Sequence, residues 1–244
     1  MRSTERGFTL YYYDAGVIDK IVYFFTEKRG VIAGIAKGAK KSKNRFGGNL
    51  EPLNEVEIIL YEKESSELPI IEKVNIISNN FSLFNNLDSF NYLLTMSDIL
   101  IKLTPHNIAQ QNLYRLLRAI IEGLKNGMKG EKVFSYFLIW FLRIEGMLSD
   151  FEVCSVCGKH RGEFEEFYIS SDGSKVFCNN CKTGNSILIP SSFFVFEKLT
   201  KTLSPQQCGN IEFKNQSEIK KFLIKLLHIY NGEEIKSLKT VQNL

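Results

Sequence analysis

The sequence predicts an α+β fold in which a small five-stranded β-barrel precedes an α-helical bundle. Two patterns indicate this: five short runs rich in β-branched and aromatic residues fill the first eighty residues, and helical periodicity begins after about residue 85. The chain has 244 residues and is 44% hydrophobic, which is enough for two globular domains. We therefore predict a barrel domain at 1–80 and a helical domain at 81–244.

Strand-like runs and turn signals alternate through the first domain. Residues 17–26 and 31–38 form a predicted hairpin around the turn "EKRG". Further strands are expected at 7–14, 55–63 and 69–79. Five short strands with no long helix between them favour a closed or nearly closed barrel.

Five segments with helical spacing of apolar residues follow. They are predicted at 87–103, 105–127, 131–148, 191–203 and 215–232. Asp88 or Ser89 is expected to cap the first helix, and Pro105 to open the second. Ser217 is the candidate cap of the last helix and Gly232 its candidate stop.

Two pairs of cysteines interrupt the helices in an insert at about 150–185. Each pair has the C-x2-C spacing and twenty residues separate the pairs: Cys154, Cys157, Cys178 and Cys181. Both thiolates of such a pair can bind one ion, and two pairs complete a tetrahedral site. A closed thiolate shell leaves no position for a substrate water, so we predict one structural zinc ion in a ribbon-like hairpin around "SDGS".

Other interpretations of the cysteines stay open. An iron–sulfur cluster also uses four thiolates, and two local disulfides or unliganded thiols would fit the same spacing. His160 is an alternative ligand, although four thiolates suffice without it. Because no apolar signal core begins the chain and no apolar run is long enough to span a bilayer, we expect reduced thiols in a cytoplasmic protein.

Positive charge is concentrated near the amino end. Residues 1–50 contain ten Lys and Arg against four acidic residues, a net charge of +6, while the other 194 residues carry −2. A solvated segment usually mixes signs, but residues 36–48 contain no acid, which favours a polyanion such as nucleic acid. The predicted nucleic-acid-binding residues are Lys28, Arg29, Lys37, Lys40, Lys41, Lys43 and Arg45.

Aromatic residues in the first two strands are candidates for stacking on bases. They are Tyr11, Tyr12, Tyr13, Tyr23, Phe24 and Phe25. Because successive side chains of a strand point to opposite faces, at least half of them belong to the core. Apolar periodicity alone does not say which ones are exposed.

Several catalytic signatures are missing from the sequence. The glycines and lysines of "GVIAGIAKGAKKS" lack the order of a phosphate-binding loop, and the three histidines are far apart. No compact acidic cluster suggests a two-metal nuclease. We therefore expect a binding protein and not an enzyme.

Residues 17–61 resemble the N-terminal domain of the RecO recombination-mediator family. The shared pattern is a D-x-I-V-x-x-F-T strand, a glycine turn, an A-K-G strand end, an R-F-G loop and an L-x-P entry to the next strand. The matching residues are Asp19, Ile21, Val22, Phe25, Thr26, Gly30, Ala36, Lys37, Gly38, Arg45, Phe46, Gly47, Leu50 and Pro52. The helical middle, the four-cysteine insert and residues 222–238 are also similar. Leu53 stands where the family usually has an aromatic residue, which should affect packing only.

The resemblance implies an N-terminal OB-fold, a helical domain with a zinc element and no catalytic residues. It also implies a DNA-binding recombination mediator in DNA repair, which anneals complementary single strands and helps load recombinase onto protein-coated single-stranded DNA. The implied partners are single- and double-stranded DNA, RecR and the C-terminal tail of the single-stranded-DNA-binding protein, in the bacterial cytoplasm at the nucleoid. The alternative is a zinc-ribbon OB-fold RNA-binding factor in translation or transcription.

Overall fold

The computed structural model describes residues 1–63, 67–148, 150–163, 166–232 and 235–242, without the side chains of Lys43 and Asn44. The chain forms two compact units, Met1–Arg118 and Ala119–Leu244. A five-stranded sheet in the first unit is followed by helices, which confirms the predicted α+β class. The division into domains at 1–80 and 81–244 stays a prediction.

The first unit is built on a closed, OB-fold-like barrel. Its strands are β1 (Arg2–Ala15), β2 (Asp19–Thr26), β3 (Gly30–Ala36), β4 (Glu55–Tyr61) and β5 (Ile70–Ser78). They join in the order β1-β2-β3-β5-β4, and β4 closes back onto β1. Neighbouring strands are antiparallel except β3 and β5, which are parallel and share one register pair, Ile35 with Ile70.

The strand β1 starts five residues earlier than predicted. Residues Arg2–Phe8 pair with β4, and this long-range pairing extends the strand through a polar stretch that local pattern does not mark. The register of β1 against β2 shifts between Thr9 and Tyr11, so that Thr9 and Leu10 are both fully buried.

A short helix after β3 packs against the core of the barrel. The helix α1 (Lys43–Phe46) was not predicted. Its Phe46 is 2% exposed and belongs to the barrel core with Leu50, Phe24 and Ile58. Burying the aromatic ring ties the polar segment around it to the barrel.

Two helices follow the barrel, α2 (Leu87–Leu103) and α3 (Gln111–Lys125). The bounds of α2 are as predicted, but its cap is Asn86, whose Oδ1 accepts from the Ser89 N–H at 2.9 Å; the prediction of Asp88 or Ser89 was wrong. Pro105 does not open α3. His106 bridges to Val31 of β3 instead, and Asn107 follows in a turn with a φ of +59°, where its N–H donates to the Val31 carbonyl at 2.9 Å.

Five α-helices begin in the described residues of the second unit. They are α4 (Gly130–Ile144), α5 (Ser191–Thr202), α6 (Pro205–Gly209), α7 (Gln216–Asn231) and α8 (Lys236–Gln242). Most of α4 is buried, as its apolar sequence predicts. The cap position of α7 is Asn215 and not Ser217, while Gly232 ends the helix in the left-handed conformation as predicted. Within the described residues, every helix is too short or too polar to cross a membrane.

A small sheet forms the cysteine-bearing insert. The strands β6 (Phe167–Ile169) and β7 (Val176–Cys178) form the predicted hairpin, and an unpredicted strand, β8 (Ile187–Leu188), pairs with β6 on the other side. Residues 164 and 165, at the start of the predicted hairpin, lie outside the described residues.

Candidate nucleic-acid interface and metal centre

The four paired cysteines converge at one point of the insert. The sulfurs of Cys154, Cys157, Cys178 and Cys181 all lie within 4.8 Å of one another, which confirms the predicted cluster. The Cys157 and Cys178 sulfurs are 3.9 Å apart. A tetrahedral site with metal–sulfur bonds of about 2.3 Å requires sulfur separations of about 3.8 Å, so this donor set fits a thiolate-bound metal ion.

Tight turns bring each pair of sulfurs together. The Gly158 N–H donates to the Cys154 carbonyl at 3.0 Å, with Gly158 at a φ of +70° that favours glycine. The second turn is closed by the Cys181 N–H, which donates to the Cys178 carbonyl at 3.1 Å. His160 is exposed and is not a member of the cluster.

Backbone N–H groups favour the thiolate form at Cys154. Burial of this group raises its pKa, but N–H donors, including that of Cys178 at 3.4 Å from the sulfur, lower it to about 6. A thiolate at neutral pH is the form that binds metal.

The hairpin tip of the insert docks on α7. The Tyr230 hydroxyl donates to the carbonyl of Gly173, which has a φ of +76°, at 2.8 Å. A Cβ atom at Gly173 would lie 2.8 Å from Cζ of Tyr230. The tip therefore has room only for glycine.

Gly173→Ala is expected to loosen this docking. The left-handed backbone alone costs a non-glycine residue roughly 1–2 kcal/mol, and the clash with the Tyr230 ring adds to it. The midpoint temperature of thermal unfolding should fall by about 2–4 °C per kcal/mol lost. Gly184→Ala is the matched control, since no atom lies within 4 Å of its added Cβ. Equal melting of both variants would contradict the docking.

The segment 37–45, here called the basic loop, is fixed against the β1–β2 turn. The Gly38 N–H donates to Oδ1 of Asp19 at 2.7 Å, and Nζ of Lys40 lies 2.9 Å from Oδ2 of Asp14. Arg45 donates to the Lys37 carbonyl at 2.8 Å. These contacts connect the loop to the ends of β1 and β2 and to itself.

The predicted cations lie in two groups. Lys37, Lys40, Lys41 and Arg45 share the basic loop and are exposed, and the side chain of Lys43 lies outside the described residues. In the part of the chain that the structure describes, Lys37 and Lys41 make no ion pair. Their charges are therefore available to an anionic ligand.

The second group lies at the other end of the β2–β3 hairpin. Lys28 and Arg29 occupy the turn before β3, whereas the basic loop follows β3, a separation of about 20 Å at the usual rise of a strand. Lys28 is exposed. Arg29 is ion-paired with Oε1 of Glu62 at 2.5 Å and donates to Oδ1 of Asn107 at 3.1 Å.

A row of aromatic rings crosses the outer face of the barrel between the two groups. The ring centroids of Tyr13 on β1 and Tyr23 on β2 are 6.3 Å apart, and Tyr23 is again 6.3 Å from His106 beside β3. We call Tyr13, Tyr23 and His106 the aromatic row. Tyr13 is 42% exposed, and Tyr11, opposite Tyr23 in the sheet, is 52% exposed.

The other candidate aromatics belong to the core or flank it. Phe24 is fully buried inside the barrel and Tyr12 packs against the same core. Phe25 points to the outer face of the barrel but is fully buried, because Tyr114 of α3 covers it; the two ring centroids are 6.1 Å apart. Sequence reasoning missed His106, because its place in the row depends on the bridge that it forms with Val31 of β3.

Fold and sites together define an OB-type barrel protein with a cationic, aromatic outer face and a separate four-thiol centre in a helical unit. A family model described as "Recombination protein O N terminal" matches residues 1–80, and one described as "Recombination protein O C terminal" matches residues 85–239. The chain therefore belongs to the RecO family of DNA repair proteins.

The similarity to named relatives covers both units of the chain. The DNA repair protein RecO of Clostridium novyi (strain NT) is 31% identical over 214 residues, which cover 87% of this chain and 81% of the relative. That of Thermodesulfovibrio yellowstonii is 30% identical over 217 residues, 85% of each chain. That of Koribacter versatilis (strain Ellin345) is 31% identical over 164 residues, 67% of this chain and 66% of the relative.

Proposed function

We propose that this protein is a non-enzymatic recombination mediator that binds single-stranded DNA on its barrel, anneals complementary strands and helps load a recombinase onto protein-coated DNA. The main observation behind this proposal is that the aromatic row begins at Tyr13, beside the basic loop. The next residue in the chain, Asp14, is ion-paired with Lys40 of that loop. A stacking surface that adjoins a cationic loop is the combination that single-strand-binding barrels use.

Binding would use charge and stacking together. Lys37 and Lys41 contact backbone phosphates, while bases stack on Tyr11, Tyr13 and Tyr23. Burial raises the pKa of Tyr23, and the neighbouring Tyr13 raises it further; the phenol is neutral at physiological pH in any case, so it does not repel DNA. Because every base has a stacking face, such binding tolerates any sequence.

Annealing follows from neutralised phosphate charge. Two complementary single strands repel each other, and salt at physiological strength screens that repulsion only beyond about 8 Å. Cations of the basic loop would lower the remaining repulsion at close range, so that strands meet and pair faster. This step requires no covalent chemistry and no catalytic residue.

We propose that the four-thiol centre holds one zinc ion with a structural role. Cys154, Cys157, Cys178 and Cys181 would supply all four ligands, and a closed thiolate shell has no open position for a substrate. Because the site exists only in the folded insert, the free energy of metal binding stabilises the folded state of the insert.

The proposed partners follow from the family resemblance. They are double-stranded as well as single-stranded DNA, RecR, and the C-terminal tail of the single-stranded-DNA-binding protein, which would bring the mediator to coated strands. A place in the bacterial cytoplasm, at the nucleoid, belongs to the same proposal.

An annealing assay tests this function. Complementary oligonucleotides coated with single-stranded-DNA-binding protein should anneal faster when the protein is added, and the gain should shrink as salt rises. Purified RecR is added in parallel reactions to measure its effect. No acceleration at any salt concentration would contradict the proposal.

Two further measurements separate the other candidate classes. Competition between single-stranded DNA and RNA of equal length should favour DNA or show no preference; a strong preference for RNA would support an RNA-binding factor instead. Incubation of DNA with magnesium or manganese should leave it intact, since cleavage products would indicate a nuclease.

A further inference from the structure

The seam is the place where β3 and β5 meet, and within the described residues it leaves one backbone position of the barrel open. On the seam side of β3, the Val31 carbonyl accepts from the Asn107 N–H and the Ile35 N–H donates to the Pro69 carbonyl, both at 2.9 Å. Ala33 lies midway between them. Because alternate residues of a strand direct their N–H and C=O groups to the same side, those of Ala33 also point into the seam.

Ala33 has no hydrogen-bond partner for these groups among the described residues. A cavity of about 510 Å³ opens beside it. A volume of this size is typical of sites for small organic groups. Besides Ala33, the lining includes six polar residues, which are Arg29, Glu62, Lys63, Glu67, His106 and Asn107.

The side-chain charges of this lining balance. Arg29 and Lys63 are cationic, Glu62 and Glu67 are anionic, and Arg29 is already paired with Glu62 at 2.5 Å. The amino group of Met1, which also lines the cavity, donates to the Glu62 carbonyl at 2.6 Å. A phosphate in this site would also meet the two carboxylates of Glu62 and Glu67. A neutral, planar group with one donor and one acceptor on its edge would match the open backbone N–H and C=O.

Nucleobases have this chemistry. Each of the four bases carries a donor and an acceptor side by side on its Watson–Crick edge, and each has a face that stacks on an aromatic ring. The imidazole of His106 both lines the cavity and ends the aromatic row, and its Nε2 lies 2.8 Å from the Ile101 carbonyl, which fixes the ring.

We infer that the seam cavity is a nucleobase pocket: one unpaired base of a strand lying along the aromatic row enters it and hydrogen bonds to the backbone of Ala33. This inference rests on the proposed binding of single-stranded DNA and names the place where the strand is held by its base. It also gives the second cation group a role, because exposed Lys28 precedes Arg29 of the pocket wall and is available to the adjacent phosphate.

A peptide strand fits the seam less well. An added strand needs several alternate backbone positions in succession. Here Asn107 occupies the position before Ala33 and Pro69 the position after it. A base needs only the one position that is open within the described ranges.

Hydrogen exchange at the Ala33 amide tests the pocket directly. In the free protein this N–H should exchange quickly, because it has no partner among the described residues. A short oligothymidylate should slow its exchange, whereas an abasic oligomer with the same number of phosphates should not. Equal exchange with both oligomers, or no protection by oligothymidylate, would overturn the pocket.

A matched pair of variants supplies a second test. His106→Ala should weaken oligothymidylate binding roughly fivefold or more, the scale of one lost stacking contact, and leave abasic binding unchanged. Ile108→Ala is the control, since this side chain of the same segment is exposed and does not line the cavity; it should bind both oligomers as the unaltered protein does. If His106→Ala binds oligothymidylate normally, the pocket is refuted while the proposed function stands. If the unaltered protein binds no oligothymidylate, both fail.

Discussion

Cys178→Ser is expected to abolish metal binding and to unfold the insert that carries it. Three thiolates and a hydroxyl no longer make a closed shell, and a structural zinc ion contributes on the order of 10 kcal/mol to its local fold. Cys178 is fully buried in β7, so the substitution alters the interior of the insert and not its surface. Metal analysis of the purified protein and its thermal unfolding measure both effects.

Cys208→Ser is the control for this substitution. Cys208 is also buried but lies outside the thiol cluster, so the metal content should stay at that of the unaltered protein. DNA binding should survive Cys178→Ser, because the barrel belongs to the other compact unit. An unaltered protein that contains no metal, or a Cys178→Ser variant that keeps it all, would refute the proposed centre.

The second large effect is expected from Lys37→Ala combined with Lys41→Ala. Both lysines are exposed on the fixed basic loop and lack an ion pair among the described residues, so their removal should not disturb the fold. Two lost phosphate contacts should lower the slope of log K against log salt by about 1.4 for single strands. Affinity at low salt should fall on the order of tenfold.

Arg45 is less suited to this experiment than these lysines. Its guanidinium donates to the Lys37 carbonyl and to Oγ of Ser42, so replacing it would alter the loop as well as the charge. Lys221→Ala with Lys225→Ala, two exposed lysines of α7, is the charge-matched control. An unchanged salt slope in the loop variant, or an equal loss in the α7 variant, would contradict a specific role for the basic loop.

The features that sequence alone predicted are those set by local chemistry. The spacing of Cys154, Cys157, Cys178 and Cys181 predicts their convergence, because short C-x2-C turns limit where the sulfurs can lie. The bounds of α2 follow from its apolar period, and Gly232 stops α7 because glycine takes the left-handed conformation without strain.

The features that sequence did not predict depend on long-range contacts. The early start of β1 comes from pairing with β4. Pro105 was expected to open a helix, but the residues after it pair with β3. Strand alternation predicts that some tyrosines of β1 are exposed but not which ones. The closed barrel leaves Tyr11 and Tyr13 exposed and packs Tyr12 against the core.

The aromatic row connects the two groups of cations on the outer face of the barrel. From the charge pattern alone, Lys28 and Arg29 are expected to form one cationic surface with the basic loop. Their positions at opposite ends of the β2–β3 hairpin instead define the two ends of a face crossed by Tyr13, Tyr23 and His106. We expect a bound strand to run along this face, with stacked bases between its charged ends.

Photocrosslinking tests this path most directly. Single-stranded DNA carrying photoreactive pyrimidines is bound to the intact protein and irradiated, and the crosslinked residues are identified by mass spectrometry. We expect crosslinks at Tyr11, Tyr13, Tyr23 and His106 on the outer face of the barrel. Crosslinks confined to the helices of Ala119–Leu244, with none on the barrel, would contradict it.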